Sequence, residues 1–112
     1  MNDNGIRVAA LDDIPVGEGI AIDRSVTGTA DDIALLRDDD GTVWALDDTC
    51  THDTASLSEG WVEGGCVECP RHSSMFDLKT GAVQCPPATE DTRPHRVEVH
   101  DGDVYVFPNE QP

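Results

Sequence analysis

Two short groups of cysteine and histidine are the residues of this chain with the clearest capacity for chemistry. The first group is Cys50-Thr51-His52 and the second is Cys69-Pro70-Arg71-His72, with the sixteen residues 53–68 between them. Each group offers one thiolate sulfur and one imidazole nitrogen, which are common ligands of zinc and of iron–sulfur clusters. The segment from residue 50 to residue 72 is therefore the candidate metal-binding region.

The spacing within the first group bears on which metal is bound. Two cysteines and two histidines could hold one tetrahedral zinc ion, but structural zinc sites usually begin with ligands separated by roughly two to four residues. Only Thr51 lies between Cys50 and His52. Convergence on a single ion is awkward at this spacing, whereas ligands directed at two neighbouring metals suit it. A [2Fe-2S] cluster with two histidine ligands on one iron is favoured, and a zinc-binding structural module is the alternative.

The pattern resembles the Rieske [2Fe-2S] family. The resemblance rests on C-x-H and C-x2-H at this separation, followed by Ser-x-Phe-Asp and Thr-Gly, and it covers about residues 44–87. It implies one [2Fe-2S] cluster per chain. In that arrangement Cys50 and Cys69 bind one iron, and His52 and His72 bind the other.

The same resemblance implies further residues around the cluster. High-potential members of the family have a serine and a tyrosine whose hydroxyl groups donate to cluster or ligand sulfurs. Ser74 matches the serine, but Phe76 stands at the tyrosine position and cannot donate. Those members also have a disulfide between the ligand loops, and the positions here are Ala55 and Arg71. Pro86-Pro87, which follows Cys85, resembles the proline-containing loop that covers the cluster.

The ligand set predicts the range of the reduction potential. Two ferric ions, two sulfides and two thiolates sum to zero charge, so the oxidised site is neutral and easier to reduce than a four-cysteine cluster. Histidine ligation gives potentials of about −150 to +300 mV. Because Phe76 removes one donor and the disulfide is absent, the reduced state is less stabilised. We expect a value at the low end, about −150 to −50 mV.

Length and charge limit the function classes. The 112 residues suit one domain, 1–112, with a cluster-binding subdomain at about 47–88. Seven basic and twenty-three acidic residues give a net charge of −16, which argues against nucleic acid or an anionic membrane as partner. The acidic surface either steers the chain toward a basic redox partner or simply keeps it soluble. Without a membrane-length apolar run or a signal peptide, we expect a cytoplasmic protein.

Short apolar segments and turn signals predict an all-β fold, a small antiparallel sandwich or barrel with two ligand loops at one end. The predicted strands are 6–11, 19–22, 33–37, 42–46, 75–78, 82–84, 97–99 and 104–107, with a strand–turn–strand unit in 60–68. Residues 26–32 read as loop, and no helix is predicted. Asp38-Asp39-Asp40-Gly41 reads as a solvated hairpin turn, and Trp61, Cys66 and Val67 as packing residues.

The remaining cysteines and histidines have simpler interpretations. Cys66 and Cys85 are expected to be free, mostly buried thiols. Cys66 and Cys69 also form C-x-x-C, as in thioredoxin-like redox pairs, but that motif normally opens a helix and here it precedes Pro70 in β-rich sequence. His95 and His100 lie outside the ligand motifs and are expected to be structural or exposed.

These observations favour an electron carrier over an enzyme. Asp53 and Glu68, the carboxylates nearest the motif, have no visible acid–base partner. A Rieske oxygenase needs a further domain, and a respiratory Rieske subunit needs a membrane anchor and the disulfide. The resemblance is closest to the ferredoxin components of bacterial aromatic-ring-hydroxylating dioxygenases. It implies a monomer that takes electrons from an NAD(P)H-dependent flavoprotein reductase and passes them to a terminal oxygenase near His52 and His72.

A second function remains open on the same resemblance. The small subunit of assimilatory nitrite reductase shares the fold but commonly lacks the ligands. Retention of Cys50, His52, Cys69 and His72 in this chain favours the ferredoxin interpretation.

Overall fold

The computed structural model describes residues 5–50, 55–70, 74–86 and 90–112, and strands dominate these ranges. One short helix, α1 (Arg24–Thr27), and 3-10 turns at Leu11–Asp13 and Leu57–Glu59 lie between them. The strands are β1 (Ile6–Ala10), β2 (Gly19–Ile22), β3 (Ile33–Arg37), β4 (Val43–Asp47), β5 (Trp61–Glu63), β6 (Cys66–Glu68), β7 (Met75–Asp77), β8 (Val83–Cys85), β9 (Pro94–His100) and β10 (Asp103–Phe107). No helix in the described ranges is long and apolar enough to cross a membrane.

The strands form two antiparallel sheets. A six-stranded sheet has the order β1-β10-β9-β4-β3-β2, and a four-stranded sheet has the order β5-β6-β7-β8. Asp-Gly and Gly-Gly turns connect neighbouring strands at residues 101–102 and 64–65, where positive φ angles suit these residues. The predicted all-β antiparallel class, with a smaller unit beside the main sheet, is confirmed.

Strand β3 lies between the two apolar cores, and both of its faces are buried. Ile33 and Leu35 point into one apolar core, and Ala34 and Leu36 point into another. Successive side chains of a strand alternate between faces, so one continuous apolar run serves both cores. β3 therefore joins the packing of the main sheet to that of the four-stranded sheet.

The two cores divide the molecule into a body and a cluster-side half. The body core lies within the six-stranded sheet and contains Ala9, Ile14, Ile22, Ile33, Leu35, Val43, Ala45, Val104 and Val106. The second core lies between β3–β4 and the four-stranded sheet and contains Ala34, Leu36, Leu46, Cys50, Ala55, Leu57, Val62, Val67, Cys69, Phe76 and Leu78. Both motif cysteines therefore belong to the second core.

The turn between β3 and β4 is less exposed than its sequence predicts. Asp38 is buried, and its Oδ1 accepts a hydrogen bond from the Gly65 N–H at 3.2 Å. Asp39 Oδ2 accepts from the Gly64 N–H at 3.2 Å. The prediction of a solvated turn is therefore wrong for Asp38, because the β5–β6 turn packs against it.

The helix α1 is a local departure from the predicted loop at residues 26–32. The Asp23 side chain accepts from the Ser25 N–H and caps the first turn, and Gly28 ends the helix in the left-handed conformation, with φ 71°. With only four residues, α1 is too short to show apolar periodicity in the sequence.

Candidate metal centre

The two motif cysteines lie at the starts of two loops and are buried in the same core. Cys50 follows the end of β4, and Cys69 comes directly after β6. Their exposed fractions are 2% and 0%. The fold therefore brings two thiols from separate loops into one apolar environment.

The two loops are closed in the same way. The Cys50 N–H donates to the Ala55 carbonyl at 2.9 Å, and the Cys69 N–H donates to the Ser74 carbonyl at 2.7 Å. In both loops the acceptor lies five positions after the cysteine. His52 and His72, the predicted nitrogen ligands, fall within these loops but lie outside the described residues.

Carboxylates anchor the first loop, and this role was not predicted for them from the sequence. The buried Asp48 accepts from the Ser58 N–H at 2.9 Å and from the Ser56 hydroxyl. Asp31 accepts from the Thr49 N–H at 3.0 Å and from its hydroxyl at 2.9 Å. Aspartate commonly holds loops through such bonds to the backbone, but these partners are up to eighteen residues apart, so local sequence carries little signal of them.

A buried histidine fixes the end of β4, just before the first loop. His95 Nδ1 accepts from the Asn109 N–H at 2.8 Å, which requires the ring proton on Nε2. That Nε2–H donates to Asp47 Oδ1 at 2.7 Å. His95 is thus structural and His100 is exposed, so both lone histidines behave as predicted.

The second loop connects two paired strands. Val67 lies opposite Phe76 and Glu68 opposite Met75 in the β6–β7 pairing. Phe76 is fully buried in the core that holds both motif cysteines, and Ser74 is fully buried at the end of the loop. Pro86, the third residue predicted near the cluster, is exposed directly after β8.

The other two cysteines differ from expectation in their burial. Cys66 and Cys85 form no disulfide, but both are only partly buried. Burial raises the pKa of the Cys66 thiol, and the negative charges of Asp77 and Asp38 raise this pKa further. The prediction that Trp61 packs inside is also wrong, because it is 61% exposed.

The donor set of the described residues fits a thiolate-bound metal. Two thiolates buried in an apolar core would be costly without a compensating cation, and a metal ion supplies one. The described ranges contain no group of three or more histidine, cysteine, aspartate or glutamate side chains that could hold a metal by itself. Cys50 and Cys69 are buried in one core and could each supply one thiolate to such a site.

Comparison with known proteins shows which family the chain resembles. Residues 4–108 match the family model described as Rieske [2Fe-2S] domain. The chain is 47% identical over 74 residues to the anthranilate 1,2-dioxygenase ferredoxin subunit of Burkholderia cepacia, which covers 66% of this chain and 68% of that protein. It is 38% identical over 111 residues to the 3-phenylpropionate/cinnamic acid dioxygenase ferredoxin subunit of Escherichia coli (strain K12), covering 97% and 99% of the two chains.

A solved structure extends the similarity to the whole fold. It is described as a complex of reduced oxygenase and oxidized ferredoxin in carbazole 1,9a-dioxygenase. The TM-score is 0.83 at 35% sequence identity, and the match covers 99% of each chain.

Proposed function

Because the chain belongs to the Rieske [2Fe-2S] family and carries that family's cluster, we propose that it is a one-electron carrier between a flavoprotein reductase and an oxygenase. It is an electron-transfer component and not itself an enzyme. The proposed donor is an NAD(P)H-dependent ferredoxin reductase. The proposed acceptor is a Rieske non-haem iron oxygenase that hydroxylates aromatic compounds.

We further propose that Cys50 and Cys69 bind one iron and that His52 and His72 bind the other. The observation that carries this assignment is the matched closure of the two loops, each by a hydrogen bond from the cysteine N–H to a carbonyl five residues later. Equivalent closure presents the two cysteines from equivalent loop positions. The cluster, when bound, takes up and releases one electron.

The protein contributes a fixed, dry environment on the cysteine side. Cys50 and Cys69 are buried among apolar side chains, which keep water from the ligand sulfurs. Asp48 and Asp31 hold the backbone of the first loop through hydrogen bonds. A site held this rigidly needs little rearrangement when its charge changes by one electron.

Three observations support the proposed partners. The similar relatives are named as ferredoxin subunits of aromatic dioxygenases, and the similar solved structure is a ferredoxin with its oxygenase. The net charge of −16 would steer the chain toward basic surfaces.

We propose a cytoplasmic monomer. A nitrite reductase small subunit is less favoured because the chain retains all four ligand positions.

The deciding experiment is an EPR spectrum of the dithionite-reduced protein, with iron and sulfide counted on the same sample. We expect a rhombic signal with the low average g of nitrogen ligation, at about two irons and two sulfides per chain. Bound zinc, or a spectrum typical of four thiolates, would contradict the proposed ligand set.

The midpoint potential provides a quantitative prediction. With Phe76 in place of a hydroxyl donor, we expect about −150 to −50 mV in protein-film voltammetry. A value above about +100 mV, within the range of histidine-ligated clusters, would contradict the reasoning from missing donors.

Exchange of Phe76 for tyrosine should raise that potential. Phe76 is fully buried in the core that contains both motif cysteines, so a new hydroxyl would lie in a dry environment near the ligand sulfurs. One added hydrogen bond of about 1 kcal/mol corresponds to roughly 40 mV for a one-electron couple. Phe76→Leu, which adds no donor, is the matched control and should leave the potential within about 15 mV of wild type.

A further inference from the structure

The outer face of the four-stranded sheet carries a shallow groove. Trp61, Glu63, Gly64, Cys66, Glu68 and Met75 line it, and its volume is about 300 Å³. The strand residues among them alternate with the buried Val62, Val67 and Phe76, so they lie on the face opposite the core. We name this set of six residues the Trp61 groove.

The groove adjoins the second ligand loop. Glu68 directly precedes Cys69, and Met75 directly follows Ser74, whose carbonyl accepts the hydrogen bond that closes the loop. Glu68 and Met75 are also cross-strand neighbours. A protein bound in the groove would therefore lie beside the loop that begins with Cys69.

An exposed tryptophan is the main apolar surface of the groove. Trp61 is 61% exposed, although it pairs with Glu68 in the β5–β6 hairpin. Tryptophan contributes more than most residues to binding when a partner buries it. Because the large apolar ring is exposed to solvent, its indole face is available for contact with a partner.

The described side chains around the indole carry negative charge. None of the ion pairs in the described part of the chain involves Glu63 or Glu68, whereas Glu98 and Asp103 on the main sheet pair with arginines. Strands β5, β6 and β7 contain no basic residue. The raised pKa of Cys66, caused by its burial and then by Asp77 and Asp38, is consistent with negative potential at this face.

We propose that the Trp61 groove is a docking surface for a redox partner protein, which places an arginine or lysine of a basic surface against Trp61 and between Glu63 and Glu68. The indole face attracts a cation through its π electrons, and the two carboxylates accept its hydrogen bonds. The inference rests on the proposed carrier function for the identity of the partner. The proposed binding of an arginine or lysine side chain rests on the residues of the groove alone. The negative charge of the groove disfavours nucleic acid and anionic lipid as partners.

The test uses the oxidised holoprotein and a blocked pentapeptide that contains two arginines and one leucine. The chain has two tryptophans, Trp44 and Trp61, so ¹H–¹⁵N spectra give two indole signals, which a Trp61→Phe variant assigns. We expect the Trp61 signal to shift saturably with peptide, while that of the partly buried Trp44 stays in place. A peptide with citrulline in place of arginine should produce no saturable shift.

A charge-matched pair of variants separates docking from general attraction. Glu63→Gln/Glu68→Gln should weaken the peptide affinity at least about fivefold. Asp12→Asn/Asp101→Asn removes the same charge from two exposed positions that do not line the groove, and should change the affinity less than about twofold.

Equal weakening by both pairs, an unshifted Trp61 signal, or an equal shift at Trp44 would overturn the docking proposal. This result is independent of the carrier function, because the peptide accepts no electron. Failure of the carrier function would appear instead in the EPR spectrum and the metal content of the unmodified protein.

Discussion

Replacement of Cys50 or Cys69 by serine is expected to remove the cluster, so that iron falls from about two atoms per chain to nearly none. Both side chains are buried in one core at the starts of the two loops, and a serine hydroxyl is a poor substitute for a thiolate as an iron ligand. Iron and sulfide analysis, with the visible absorbance of the purified variants, measures the loss.

The other two cysteines supply matched controls for that experiment. Cys66 and Cys85 are partly buried strand residues, and their replacement by serine should leave the iron content unchanged. Loss of the metal in Cys66→Ser would instead support a site that uses the Cys66 and Cys69 pair. Full iron content in Cys69→Ser would refute the proposed assignment directly.

Gly60→Ala is expected to destabilise the fold and to reduce the loading of the cluster. A Cβ atom at Gly60 would lie 2.0 Å from the Glu68 carbonyl oxygen and 3.1 Å from its carbonyl carbon. The obstacle is backbone, so β5 and β6 would have to separate, and Glu68 directly precedes Cys69. We expect a loss of about 2–3 kcal/mol in the free energy of unfolding, together with reduced iron content.

Gly28→Ala is the control for this substitution. Gly28 has φ 71°, and a Cβ atom added there would meet no other atom within 4 Å, so alanine would cost about 1–2 kcal/mol of backbone strain alone. Gly28 ends α1, and its substitution should leave the iron content at the wild-type level. Urea unfolding and iron analysis of both variants would test the difference. Normal loading of Gly60→Ala, with a stability equal to that of Gly28→Ala, would contradict the steric argument.

Local signals in the sequence were sufficient for most of the strands. The alternation in residues 97–107 and the Asp-Gly turn within it predicted the last hairpin, and β2 and β3 have the predicted bounds. Long-range contacts explain the errors. Asp38 is buried because a turn more than twenty residues later packs on it, and Trp61 is exposed because no described element covers its face of the sheet.

The site was predictable to a similar extent. Ligand types and spacing singled out Cys50 and Cys69, which the fold brings into one core. The ligation of the cluster by Cys50, His52, Cys69 and His72 stays a prediction. The carboxylates that hold the first loop, Asp48 and Asp31, were not identifiable among twenty-three acidic residues, because their role depends on partners that only the folded chain brings close.

The position of β3 between two cores links metal loading to the stability of distant strands. The backbone amide protons of β3 exchange with solvent only when the packing on both faces of the strand is lost, and this requires global opening of the fold. A cluster that binds the folded chain in preference to the unfolded chain shifts that opening equilibrium by mass action. Insertion of iron and sulfide beside Cys50 and Cys69 would therefore slow hydrogen exchange in the body as well, and the apoprotein would be the form most exposed to proteolysis.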